Sequence, residues 1–116
     1  MIEMPVDMID EKLDFALAGL LGWVNVWDGV RLIWVDGATK EFRRKVTDWQ
    51  PSSDPATSLE VQAAAVAKDA ELYITHMNHV LWEVCINLQY KHAAQIANAT
   101  PRQRAEAAYM TLSKQD

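Results

Sequence analysis

The sequence predicts an α+β protein. It forms a single domain over residues 1–116, an antiparallel sheet packed with helices in the order α-β-β-(β)-α-β-β-α. Three observations carry that prediction. The chain has 116 residues, half of them hydrophobic and 23% charged, which suits one domain with one core and excludes a disordered chain. Apolar residues recur at helical spacing in three stretches, and helices this amphipathic must cover a sheet. Between the helices lie Trp- and Val-rich runs with Asp-Gly between them. That dipeptide turns a hairpin because glycine adopts φ > 0 at little cost.

Asp7 is placed to cap a first helix over residues 8–21. Ile9, Leu13, Leu17, Leu20 and Leu21 form its apolar stripe, and Gly22 stops it. Residues 23–27 and 30–35 read as strands joined at Asp28-Gly29. A second Asp-Gly follows at Asp36-Gly37, and Glu41 to Val46 reads as a short third strand or an exposed loop. Ser52-Ser53-Asp54-Pro55 gives a loop, a cap and a proline at the first helical position, opening a second helix that runs to about Asp69. Residues 71–78 and 80–88 read as a second hairpin, tight at Asn78-His79. Val80, Trp82, Val84, Ile86 and Leu88 alternate onto one face of its second strand. Residues 89–99 read as irregular. Thr100-Pro101-Arg102-Gln103 then supplies a capping box for a third helix, striped by Ala105, Ala108, Tyr109 and Leu112.

Charge is unevenly spread. Residues 1–28 hold Glu3, Asp7, Asp10, Glu11, Asp14 and Asp28 against Lys12 alone, and so carry the whole net charge of −5. Residues 29–116 sum to zero. That balance argues against direct nucleic-acid binding over the whole surface. A small basic cluster at Lys40, Arg43, Arg44 and Lys45 is a candidate anion-binding site, and it could equally pair with the protein's own acids. No apolar stretch is long enough to span a bilayer, and no leader is recognisable at the start. A lone cysteine, Cys85, excludes an internal disulfide and fits a cytoplasmic, reducing location.

Catalytic and cofactor signatures are missing. The glycines at 19, 22, 29 and 37 fit no phosphate loop or dinucleotide spacing. His76, His79, Cys85 and His92 complete no metal set; on a strand, His76 and His79 would point to opposite faces. Neither an enzyme nor a cofactor is expected. The five tryptophans, Trp23, Trp27, Trp34, Trp49 and Trp82, are mostly core candidates. Trp27 beside Asp28 at a hairpin tip instead suits a protein–protein anchor, and Trp49 in its loop is a second candidate.

Three segments carry a family resemblance. Asp14 to Trp23 resembles the first helix and Gly-Trp of the phage ABA-sandwich domain. Ser52-Ser53-Asp54-Pro55-Ala56-Thr57-Ser58-Leu59-Glu60-Val61 is similar to that family's Ser-Thr-Asp-x-x-x-Ala-Trp-x-Val signature, with Leu59 at the Trp position. Ala99 to Ala108 looks like its closing Thr-Pro-x-x-Ala helix. The resemblance implies a sheet between helical layers and a phage or prophage origin; it implies no catalytic residues.

The expected function is therefore that of a small acidic phage-type accessory protein acting by protein binding, such as an inhibitor of a bacterial defence system (an anti-CRISPR). Asp10, Glu11, Asp14, Trp27 and Asp28 are the partner-binding candidates, facing a host protein with a basic surface such as a CRISPR effector subunit. One alternative is a nucleotide-binding or sequestering protein using Trp and Arg43/Arg44. Another is nucleic-acid binding through residues 40–45. Exposed sheet edges make a symmetric homodimer the default assembly.

Overall fold

Gly22 ends the first helix, and the sheet follows from that stop. The computed structural model of the chain describes residues 4–81 and 94–114. Asp7 does not cap the first helix: it ends a 3-10 turn at Pro5–Asp7, and helix α1 (Asp10–Leu20) starts after an exposed Ile9 with no side-chain cap, burying Leu13, Leu17 and Ala18. Gly22 then takes φ +85°, which a residue with a Cβ adopts only under strain. The chain turns directly into strand β1 (Trp23–Trp27). β1 pairs antiparallel with β2 (Leu32–Asp36), and β2 with β3 (Phe42–Lys45), in the order β1-β2-β3. Gly37 lies against this start: its N–H donates to the Gly22 carbonyl at 2.8 Å, and a Cβ at Gly37 would stand only 2.8 Å from the same oxygen.

Both hairpin turns are built on an aspartate side chain. Asp28 Oδ1 accepts the N–H groups of Val30 and Arg31 at 2.7 and 2.8 Å. Asp36 Oδ1 accepts those of Ala38 and Thr39 at 2.8 and 2.9 Å. Such side-chain bonds stand in for backbone turns. The first turn uses residues 28–31, so β2 starts at Leu32 rather than at residue 30. The third strand is formed, and it runs into a second 3-10 turn at Val46–Asp48.

Strand alternation divides the sheet into two faces. On one, Trp34 meets Phe15 of α1 edge-on at 4.9 Å between ring centroids, and Trp23 packs on Trp49 at 4.8 Å. Trp49 is buried there, so it is core and not a surface anchor. The other face carries Val24, Val26, Ile33, Val35 and Phe42. Phe42 is 59% exposed, and Val24 and Val26 are 38% and 36% exposed. Among the described residues the helices cover the Trp34 face.

Asp54 opens helix α2 (Pro55–Leu81), accepting the Thr57 N–H at 3.0 Å. Inside α2 the backbone breaks at Asp69, which is extended (φ −164°, ψ 90°). Asp69 Oδ1 accepts the Leu72 N–H at 3.0 Å and so caps a new helical run over residues 70–81. Across the break the Tyr73 hydroxyl donates to Gln62 Oε1 at 2.9 Å. In a straight helix, residues that far apart would be separated by about 16 Å, so the helix axis bends at Asp69 and brings these side chains together.

This break corrects the second hairpin. Residues 71–78 are helix, and no turn forms at Asn78-His79. Tyr73 and Met77, spaced i, i+4, are fully buried in the core, and Val80 and Leu81 pack against it. The strand expected over 80–88 is helical at Val80 and Leu81; residues 82–88, with Trp82 and Cys85, lie outside the described residues, as do 89–93 with His92. The span 94–97 is a helical turn, not irregular chain.

Helix α3 (Pro101–Leu112) opens on the expected capping box. Thr100 Oγ1 accepts the Gln103 N–H at 3.1 Å, and Gln103 Oε1 accepts the Thr100 N–H at 2.9 Å. Ala105, Ala108 and Tyr109 are buried. Small residues let α3 lie close against α2. Arg104 donates to Ser58 Oγ at 3.0 Å, and Lys68 Nζ satisfies the closing carbonyls of Leu112 and Lys114 at 3.0 and 2.6 Å.

Candidate partner-binding site

The direct turn from α1 into β1 sends the chain back alongside the helix, so the β1–β2 hairpin tip comes near the start of α1. A cleft of about 460 Å³ opens there, lined by Asp10, Glu11, Asp14 and Phe15 of α1, Leu32 of β2, and Val46, Thr47, Trp49, Gln50 and Ser53. Trp27 is the cross-strand partner of Leu32 and is 65% exposed. Three of the candidate carboxylates thus share one cleft, and Trp27 neighbours its Leu32 across the strands.

The three acids differ in state. Asp14 is buried, and its Oδ1 accepts the Ser52 N–H at 2.8 Å. Burial outweighs that bond and pushes the carboxyl up from its ordinary 3.8 to about 6. Asp10 is ion-paired with Arg102 at 2.6 Å. Glu11 is exposed. Asp28 is exposed as well, but its carboxylate serves the hairpin turn; the Arg31 and Val30 N–H bonds hold it below the usual range.

Arg102 is the organising residue that sequence reasoning missed. From the first turn of α3 it donates to Asp10, to Glu106 at 2.7 Å, and to the carbonyls of Pro5 and Met8 at 2.7 and 2.6 Å. A planar guanidinium can satisfy several acceptors at once. One side chain thereby ties α3, the start of α1 and the N-terminal turn together. The only legible signal was the placement of Arg102 inside a capping box; its partners at the N-terminal end lie more than ninety residues away.

The basic cluster is not one site. Arg43 pairs with Asp36 at 3.0 Å, and Arg44 with Glu60 at 3.2 Å, where Glu60 also accepts the Trp49 Nε1–H at 3.4 Å. Lys45 lies across from Ile33, on the face opposite Arg44. Lys40 sits in a turn with φ 66°. None of the four lines the cleft. His76 and His79 share one helix at i, i+3 with ring centroids 6.4 Å apart, rather than opposite faces of a strand. Among the described residues no group of three His, Cys, Asp or Glu side chains could hold a metal ion, and no helix is long and apolar enough to cross a membrane. The chain matches no family model, no curated protein and no solved structure.

Proposed function

We propose that this protein acts by binding another protein, through the acidic cleft at the start of α1, and that the partner offers a basic surface. The observation that carries this reading is the convergence of Asp10, Glu11 and Asp14 in one open cleft, with the apolar Leu32 in its lining and the exposed Trp27 beside it. Carboxylates beside a large exposed aromatic suit a Lys- or Arg-rich epitope: the charges steer the encounter, and the aromatic supplies buried area. Asp28 at the tip adds to the negative field. The narrower reading, a phage-type accessory protein that blocks a bacterial defence component such as a CRISPR effector subunit, rests on the family resemblance and on the basic nucleic-acid channels of such partners. It places the protein in a bacterial host cytoplasm.

Chemistry separates this reading from the alternatives. A nucleotide sponge needs cations around its pocket, but this cleft is lined by carboxylates while Arg43 and Arg44 are paired elsewhere. A nucleic-acid site over residues 40–45 has its two arginines engaged by Asp36 and Glu60.

Glu11 is the residue to test. Reversing Asp14 buries a cation, and reversing Asp10 breaks the Arg102 pair, so either change confounds folding with binding. Affinity purification from host lysate with wild-type and Glu11→Lys baits, compared by quantitative mass spectrometry, is the experiment. A protein with a basic surface should be retained by the wild type and depleted on the variant. If every captured protein is recovered equally on both baits, the cleft is not the binding surface.

A further inference from the structure

The sequence of β1, Trp23-Val24-Asn25-Val26-Trp27, reads the same in both directions. Among the described residues it is an outer strand of the sheet, and its residues 24–27 are all exposed. Outer strands are commonly guarded by charge or proline. β3 is guarded in this way, with Arg43, Arg44 and Lys45. β1 has neither a charge nor a proline.

The geometry points to a second copy of this chain as the occupant of that edge, joined by antiparallel β1–β1 pairing about a two-fold axis through Asn25. Three independent features agree on this register. In a two-fold antiparallel pair each residue faces its mirror position, so the palindrome sets Trp23 against Trp27 of the second copy, Val24 against Val26, and Asn25 against itself.

The backbone agrees as well. Gly37 N–H bonds to Gly22 O, and Asp28 N–H bonds to Arg31 O, one at each end of the β1–β2 ladder. In an antiparallel ladder the hydrogen-bonded positions alternate. Val24 and Val26 therefore turn their amides and carbonyls toward β2, while Trp23, Asn25 and Trp27 turn theirs outward. Centring the axis on Asn25 pairs every one of those outward groups. A register shifted by one residue would pair none of them properly.

Charge and apolar surface point the same way. Isologous pairing sets like residues near one another, which is harmless for an uncharged strand and repulsive for β3. On the open face, Val24 and Val26 of both copies would meet as one stripe. On the helix-side face, the exposed Trp27 would cover the Trp23–Trp49 pair of the second copy. A five-residue strand gives a smaller interface than the roughly 800 Å² per partner of stable complexes, so the dimer is concentration-dependent. This inference does not rest on the acidic cleft. The two surfaces share Trp27, for which the basic partner and the second copy compete.

Sedimentation velocity from micromolar to near-millimolar protein tests the pairing, using Asn25→Lys and Asn25→Glu variants. Position 25 is exposed, so both variants keep the fold, which circular dichroism verifies. Wild type should pass from monomer to dimer with concentration. Each variant alone should stay monomeric, and their equimolar mixture should dimerise, because only self-facing residues convert repulsion to attraction on mixing. A wild type that stays monomeric throughout overturns the proposal. So does either single variant dimerising like wild type, or a mixture that stays monomeric. None of these results touches Glu11, so a failed dimer and a failed partner site are told apart.

Discussion

Asp14 shows at the scale of one residue how the cleft is held in tension. Its carboxyl is drawn inward by the Ser52 N–H, yet burial raises its pKa to about 6. A native pKa above the unfolded one means the folded state holds a proton that the unfolded chain releases. Stability from this group is present below about pH 4 and is lost as pH rises to about 6. At neutral pH the carboxyl is ionised in both states, and the folded state bears the cost of burying that charge. Asp14→Asn keeps an acceptor for Ser52 and removes the charge. The melting temperature should therefore rise at pH 7.5 and change little at pH 4, flattening the profile between. Equal melting shifts at both pH values would show that the charge of Asp14 is not what costs stability. Arg102 has the opposite role. Arg102→Met strips donors from Pro5, Met8 and Asp10 together. Denaturant unfolding should register a loss on the order of 2 kcal/mol, since carbonyls and a carboxylate lose charged partners. Arg102→Lys should recover only part, because an ammonium lacks the planar fork.

At the scale of elements, Asp69 decides the topology. It breaks α2 and caps the run that follows. Replacing it with alanine should cost about 1 kcal/mol of stability by chemical denaturation. The same change should loosen the Tyr73–Gln62 bond across the break, lowering the Tyr73 hydroxyl from the value near 12 that burial imposes, as ultraviolet titration would read. Local rules made much of the fold legible. The cap at Asp54, the box at Thr100 and Gln103, the stop at Gly22 and the Asp-Gly hairpin are short-range chemistry, and each stands where the sequence placed it. The second hairpin failed because Tyr73, Ile74 and Thr75 favour strand by propensity, whereas burial of Tyr73 and Met77 at i, i+4 favours helix. Tertiary packing overrides such propensities. The end of the second helix at Asp69 was legible; that Asp69 also begins the next run was not, because one residue carries both signals. Arg102 and Ser52 were illegible for a different reason. Their value lies in partners far along the chain, which no spacing rule reaches.

For the whole molecule, the uneven charge has a spatial meaning. Among the described residues, Asp10, Glu11 and Asp14 share a cleft at the start of α1, and Trp27 is the cross-strand neighbour of Leu32 in its lining. Three of the arginines, Arg43, Arg44 and Arg102, are engaged by Asp36, Glu60 and Asp10. Glu11 is an exposed acid of the cleft, and Asp28 stands exposed at the hairpin tip. That is the physical basis for expecting steered association with a basic partner. The most direct measurement is the association rate constant with the captured partner across ionic strength, for wild type and Glu11→Lys. The rate should fall steeply with added salt for wild type, and be slower with a shallower slope for the variant. A rate unchanged by salt, and unchanged by reversing Glu11, would contradict steered association.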